Sequence, residues 1–338
     1  MNASTTALAV ADGAGALAAR AHGGPVVEHC PDRSTWRLLR ARTIGASESA
    51  GLLITDPVEA GLEEEDGEAV SPYLTPYQLF ALKAQLLAGE EEEDRQSSNR
   101  TEWGQTLEPV IAEGIAVKRG WSYRKPSGYY LHPNVDRMGC SLDFEVDVEG
   151  TGLYEPYEIK NVAASEAWKW RNSLGDWIVP AWIEVQCQHQ MAVTGCERVI
   201  VGVLFGGNED KIFEVRRDPE MIATIEETIE AFWACVDAGE APEPDYERDG
   251  WVIKRLNAKI DPDAEQVLDW TGSNEAMQVA QAMKYNASQA NFFKKEADKN
   301  RHWLQHHLGG SRAADLGQDL MVHTSAVEKH SSHTAVRG

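Results

Sequence analysis

Between residues 100 and 120, apolar side chains recur at Trp103, Leu107, Val110, Ile111 and Ile115, the three-to-four spacing of a helix with one buried face. A second helix is predicted over 76–89 ("PYQLFALKAQLLAG"), with Pro at its start and Gly at its end. Before these, "STWRLLRARTIGASES" predicts a short helix capped by Ser34 or Thr35, then a turn into another helix with Ser47 near its N-terminus. The pattern then changes to strands at 129–133 ("YYLHP"), 138–148 ("MGCSLDFEVDV") and 153–161 ("LYEPYEIKN"). The last two flank the turn "EGTG" and should pair as a hairpin. A helix follows at 180–195, then a buried strand at 198–207, an alternating strand at 211–218 and an amphipathic helix at 219–239. This order predicts a mixed α/β (α+β) domain, a mixed central sheet flanked by helices, over 34–240.

Residues 1–33 are small and Ala/Gly-rich at first and read as a weakly ordered tail; no Lys or Arg precedes the apolar part, which argues against a secretory signal. Residues 241–251 read as an acidic, Pro-rich linker, and 252–338 as a mainly helical extension with a frayed end, 262–309 forming a helical hairpin. No apolar run reaches 18 residues, so no membrane span is expected. Five cysteines without a C-x-x-C pair point to a reducing cytoplasm, with no zinc and no iron–sulfur cluster.

The net charge of −22 over 338 residues argues, by itself, against a nucleic-acid partner. The acid is concentrated, however, in "LEEEDGE" (62–68), "EEEED" (90–94) and "EAPEPDYERD" (240–249), which read as loops or linkers. "WRLLRAR" (36–42) and "AWKWRN" (167–172) are basic and aromatic. Distant acids are screened from a groove over a Debye length of about 8–10 Å.

Within "PYEIKN", Glu158 and Lys160 fall on one face of a strand and Ile159 on the other. The hairpin brings Asp143, fifteen residues earlier, towards them. Two carboxylates and an ammonium at one point form either a salt-bridged surface or a site for a hard divalent cation such as Mg²⁺. In the second case Lys160 orients or deprotonates a water, or stabilises charge building on a phosphate, and Glu108 supplies a carboxylate for a second ion.

The chain resembles the YqaJ-type, lambda-exonuclease-like viral recombinases of the PD-(D/E)XK nuclease superfamily. The resemblance rests on Trp36 and Arg40 before "GASE" (45–48), on "WGQTLEPVIAE" with Glu108, on "CSLDFEV", on "EIKN", and on "VQCQHQMAVTG" (185–195), in that order over about 34–240. It implies a restriction-endonuclease-like core. It further implies that Asp143, Glu158 and the Ile159 carbonyl bind the catalytic metal, Mg²⁺ with Mn²⁺ able to substitute, and that Glu108 serves a second ion. Lys160 positions the nucleophile and Gln186 lies beside the metals, while Arg40 and Ser47, with Trp36 next to them, hold a 5′-terminal phosphate. The activity implied is a 5′-to-3′ exonuclease on the ends of linear duplex DNA. It leaves 3′ single strands for a single-strand annealing protein, and works as a toroidal homotrimer in the cytoplasm of a bacterial or phage-infected cell. Two other readings stand beside it: a repair nuclease of the same superfamily, and a non-degradative DNA-end-binding or host-interaction protein on a nuclease fold.

Many relatives carry a tyrosine shortly after the motif glutamine; here His189 or Gln190 stands in its place, and His189 reads as structural. Among Trp168, Trp170, Trp177 and Trp182, at least two are expected in the core, the others being free to stack on unpaired bases. Cys140 and Cys187 are expected to be small core fillers.

Overall fold

The computed structural model describes residues 25–54, 73–90, 99–126, 128–258, 268–309, 311–317, 320–323 and 327–329. The chain divides into two compact units, 1–260 and 261–338. The first unit runs β1 (Val26–His29), α1 (Arg33–Ala41), α2 (Ala46–Leu53), α3 (Pro76–Leu87), α4 (Asn99–Arg119), β2 (Ser122–Arg124), β3 (Gly128–Leu131), β4 (Gly139–Cys140), β5 (Phe144–Asp147) and β6 (Glu155–Val162). A 3-10 helix (Ala164–Trp170) then leads to α5 (Ala181–Thr194), β7 (Arg198–Phe205), β8 (Glu209–Arg216), α6 (Pro219–Ala238) and α7 (Gly250–Ala258).

A mixed five-stranded sheet of order β2-β5-β6-β7-β8 forms the centre. The expected hairpin is β5–β6, antiparallel, with Phe144 opposite Tyr157. β6 and β7 are parallel, which requires the crossover that the 3-10 helix and α5 supply. Strand alternation sorts the side chains of β6. Tyr157 and Ile159 face α4 and pack on Ile111, Ala112 and Ile115. Val162 faces the opposite way, into the larger core with Val201, Val203, Met191, Ile225 and Ile229. Burial of side chains this size contributes about 1.5–3 kcal/mol each. α5 stops at Gly195, whose φ of +73° suits a residue without a Cβ.

Several expectations are corrected. Asp32, rather than Ser34 or Thr35, caps α1, accepting from Thr35 N at 2.7 Å. Trp103 and Val110 are exposed, so the buried stripe of α4 is Ile111, Ala112, Ile115 and Ala116. The stretch 138–148 is two strands in different sheets, β4 pairing with β3 and β5 with β2 and β6. A Cβ on Gly139 would lie 2.7 Å from the Tyr129 ring, so this close pairing of β4 requires glycine. Residues 26–29 of the expected tail are β1, paired with β3. The acidic stretch 241–251 belongs to the first unit, and the division falls at 260/261. Asp249 is buried and accepts from Thr75 Oγ1 (2.6 Å) and Gln78 Nε2 (2.8 Å) on α3, which fixes that stretch in place.

In the second unit, 274–308 form one uninterrupted helix, α8 (Asn274–Leu308), not a hairpin. Ser273 caps it, accepting from Ala276 N at 3.1 Å, and no Gly or Pro interrupts the helix. A three-stranded meander follows, β9 (Ala313–Gly317), β10 (Leu320–His323) and β11 (Val327–Lys329), in place of the expected helical or frayed segment. The acidic runs 62–68 and 91–94, residues 1–24 and the final "SSHTAVRG" lie outside the described residues. Among the described residues no helix is long and apolar enough to cross a membrane.

Candidate active site

β6 carries Glu158 and Lys160 on the face that α5 covers, and Asp143 sits in the bend just before β5. Glu158 is only 2% exposed, a position that a carboxylate occupies only when its oxygens are satisfied. Its Oε1 accepts from Gln186 Nε2 at 2.6 Å and from Lys160 Nζ; its Oε2 accepts from Gln190 Nε2 at 2.7 Å. Gln186 and Gln190 are one turn apart on α5, so both amides reach the same carboxylate. Lys160 Nζ also donates to Gln186 Oε1 at 3.4 Å.

Asp143 Oδ2 accepts from the Ile159 N–H at 3.0 Å. The β5–β6 ladder has ended at Phe144–Tyr157, so the Asp143 side chain takes the place of a strand partner. N–H and C=O of one strand residue point to the same edge, so the Ile159 carbonyl is directed to the side that β5 has vacated. Burial, the charge of Glu158 and the charge of Glu108 push the Asp143 carboxyl well above its ordinary range, against the opposing effects of Lys160 and the Ile159 N–H. Burial works against the Lys160 ammonium, but Glu158 and Asp143 outweigh it and raise its pKa. Lys160 is therefore a charged donor in this arrangement and has no lone pair with which to take a proton.

Glu108, near the middle of α4, is close enough to act on Asp143, and its Oε1 accepts from Lys125 Nζ at 3.1 Å. Among the described residues, no three His, Cys, Asp or Glu side chains form a ready metal-ligating cluster. The donor set nonetheless suits a hard divalent cation: burial first, and then the neighbouring carboxylates, hold Asp143 away from ionisation, and a cation beside it would oppose both.

Trp36 and Arg40 lie on α1, and Ser47 lies in the first turn of α2 beside Glu48. Arg40 lies over the Trp36 ring at 5.0 Å and reaches Glu48 Oε1 at 3.3 Å. Glu48 Oε2 accepts from buried Lys83 Nζ (2.9 Å) and from Gly45 N (2.9 Å). Burial would raise the Glu48 carboxyl, but Lys83, Arg40 and the Gly45 N–H outweigh it, and its pKa is lowered. Two cations thus share one carboxylate at the N-terminus of α2, where partly exposed Ser47 is the second helical residue.

His189 points away from Glu158. Its Nε2 faces the Gly139 carbonyl at 3.0 Å, which can only accept, so Nε2 carries the hydrogen and Nδ1 accepts from Ser49 Oγ at 2.6 Å. Burial lowers its pKa to about 4. Of this pair it is Gln190, not His189, that faces Glu158.

The motifs alone give Gln190 no role, although its i+4 spacing from Gln186 is a usable signal. Tyr73 carries no signal in the sequence. That phenol is pushed up to about 12 by burial and lies within the fields of Lys160, Glu158 and Cys187. Trp170 and Trp182 are buried, as are Cys140 and Cys187, whose thiols burial raises. Trp168 is 48% exposed, and Trp177 packs on Phe205 at 4.8 Å.

Residues 66–197 match the family model described as the YqaJ-like viral recombinase domain. Asp143, Glu158, Lys160, Glu108, Gln186 and Gln190 lie inside that segment; Trp36, Arg40 and Ser47 precede it. Over 213 residues, 62% of this chain, the sequence is 25% identical to the uncharacterized protein YqaJ of Bacillus subtilis (strain 168), and the match spans 58% of that protein. Among solved structures the chain is similar to the alkaline exonuclease LHK-Exo of Laribacter hongkongensis, with a TM-score of 0.41, 20% identity, and coverage of 67% of this chain and 100% of that one. For the same enzyme in complex with dAMP the TM-score is 0.43, at 21% identity over 68% of this chain and 100% of that one. The family match spans residues 66–197, less than half of the chain, and shows similarity to the YqaJ-like viral recombinase domain over that segment.

Proposed function

We propose that the protein is a metal-dependent deoxyribonuclease of the lambda-exonuclease type, which digests one strand of linear duplex DNA from a 5′ end. The observation that carries the reading is the convergence of Asp143, Glu158 and Lys160 at the vacated edge of β6, with every oxygen of Glu158 engaged and Asp143 held back from ionisation. A fold has no need of such a set for stability: a buried carboxylate against another carboxylate costs free energy unless a cation joins them.

Asp143, Glu158 and the Ile159 carbonyl would hold Mg²⁺, or Mn²⁺ in its place, and Glu108 would serve a second ion. When bound, the metal would supply a Lewis acid for the scissile phosphate and would acidify a water. Lys160, as an ammonium, would orient the attacking water and offset charge that builds on the phosphate. Gln186 and Gln190 hold the Glu158 carboxylate in one rotamer. Arg40 and Ser47 receive the terminal 5′-phosphate: a guanidinium shared with Glu48 still leaves a net positive charge at a helix N-terminus.

The family match, to a viral recombinase domain, supports a role in recombination; the resemblance alone extends it to supply of 3′ single strands to a single-strand annealing protein by a ring-shaped homotrimer in the cytoplasm. The end-binding alternative would leave the Asp143, Glu158 and Lys160 set without a task. Incubation of the protein and Mg²⁺ with linear duplex labelled at either end, bearing 5′-phosphate or 5′-hydroxyl, tests the reading. Loss of one strand from the phosphorylated 5′ end is the expected result. Retention of DNA ends without digestion, in Mg²⁺ and in Mn²⁺, would favour the end-binding protein.

A further inference from the structure

In the second unit, α8 presents a further surface that is both basic and aromatic. At about 100° per residue, Lys284, Tyr285, Phe292, Lys295, Lys299 and Trp303 fall within roughly a 100° arc of the helix. Tyr285, Phe292 and Trp303 are 63%, 55% and 59% exposed, although aromatic rings of this size are usually covered. Between Lys284 and Arg301 the helix carries five cations (Lys284, Lys294, Lys295, Lys299, Arg301) against two carboxylates, in a chain of net charge −22. Those carboxylates, Glu296 and Asp298, lie to either side of the arc, Glu296 accepting from Lys299 at 3.4 Å and Asp298 from Arg301 at 2.6 Å.

The arrangement selects one kind of partner. A helix that lies on a bilayer separates its aromatic residues from its cations on opposite faces. A helix that docks in a protein groove shows an unbroken apolar row at i, i+3, i+4 and i+7. Here cations and rings are interspersed along one face: Lys284 precedes Tyr285, and Lys295 and Lys299 stand between Phe292 and Trp303. Ammonium groups meet phosphates, and exposed rings meet the faces of bases. In a duplex those faces are stacked on each other, so only unpaired bases can meet them. From Tyr285 to Trp303 the surface extends over roughly 27 Å.

We infer that this face of α8 is a binding site for single-stranded DNA, separate from the nuclease site and independent of cleavage. It needs neither the metal nor Lys160, and a chain that failed to cut DNA would still hold a single strand there.

The test is fluorescence anisotropy of the full-length protein in EDTA with a labelled 20-mer of thymidylate, titrated at several salt concentrations. Lys295→Gln with Lys299→Gln should weaken binding more than tenfold and reduce the slope of log K against log salt by about 1.4, near 0.7 for each phosphate that is no longer neutralised. Phe292→Leu with Trp303→Leu should weaken binding about tenfold and leave that slope unchanged. Circular dichroism at 222 nm should show that α8 persists in both. Wild-type affinity in both double variants would overturn the inference. So would equal loss of binding to a blunt duplex of the same length, or wild-type protein floating with anionic phospholipid vesicles while the thymidylate stays free. Failure to digest DNA under Mg²⁺, with thymidylate binding intact, would count against the nuclease and leave this site standing.

Discussion

Gln190 donates from Nε2 to Glu158 Oε2 at 2.7 Å, and its own Oε1, also buried, has no hydrogen-bond partner among the described residues. An amide held this way fixes the carboxylate on one side and offers an acceptor on the other. Gln190→Leu removes the donor and leaves Glu158 Oε2 buried without it. Unfolding in urea should show a loss of about 1–3 kcal/mol. Cleavage should fall with it, since the carboxylate gains a second rotamer.

Asp143 predicts an opposite trade. Its folded pKa is above the ordinary carboxylate value, so the folded state binds its proton more tightly than the unfolded chain does. The resulting stabilisation is present at low pH and is lost as pH rises from the unfolded value, near 3.8, through the folded one. At pH 7–8 without metal, Asp143→Asn should therefore raise the unfolding free energy by roughly 0.5–2 kcal/mol while it abolishes cleavage. Added Mg²⁺ should raise the Tm of the wild type and leave that of Asp143→Asn in place. A variant less stable than the wild type in EDTA would contradict this.

Arg40 is half-exposed and shares Glu48 with buried Lys83, so the fold retains the Lys83–Glu48 pair when Arg40 is removed. Arg40→Met should cost no more than about 1 kcal/mol in stability. It should raise KM for 5′-phosphorylated duplex about tenfold and leave the 5′-hydroxyl substrate unaffected, a split visible in steady-state kinetics on the two substrates.

His189 gives an acid-dependent stability. Its folded pKa is about 4, below the unfolded value near 6.5, so its contribution is complete above pH 6.5 and is lost as pH falls towards 4. His132, also lowered to about 4 by burial and by Arg217, adds the same trend. Each contributes at most about 1.4 kcal/mol per pH unit in that window. His189→Gln should be less stable at pH 8, and its decline between pH 6.5 and 4 should be about half as steep. Parallel curves for the two proteins would rule His189 out as the source.

The cluster of Asp143, Glu158 and Lys160 is legible in the sequence because a strand alternates: Glu158 and Lys160 have to share a face, and the turn at 149–152 has to return Asp143 to it. Gln186 is legible through its motif. Gln190 is not, because the motif sets a tyrosine near that place and nothing in "QCQHQ" says which residue faces inward until the helix is laid on β6. Tyr73 lies 85 residues before Glu158, and only the tertiary fold brings it to the site. The break between β4 and β5 is hidden because "CSLDFEVDV" keeps an unbroken apolar–polar alternation through it; the change of sheet depends on the close approach of Gly139 to Tyr129. The single helix α8 reads as a hairpin because polar "YNASQAN" resembles a turn, yet Asn and Ser lower helix stability only by tenths of a kcal/mol and do not break it.

Lys160→Ala tests the central claim most directly, with single-turnover cleavage and DNA-end binding measured on the same preparation. Its ammonium contacts Glu158 and Gln186, and its loss leaves Asp143 and Glu158 in place. Cleavage of 5′-phosphorylated linear duplex in Mg²⁺ should fall by about 10³-fold or more, with end binding within about twofold of wild type. A variant that cuts at the wild-type rate would contradict the assignment of this site as a nuclease centre.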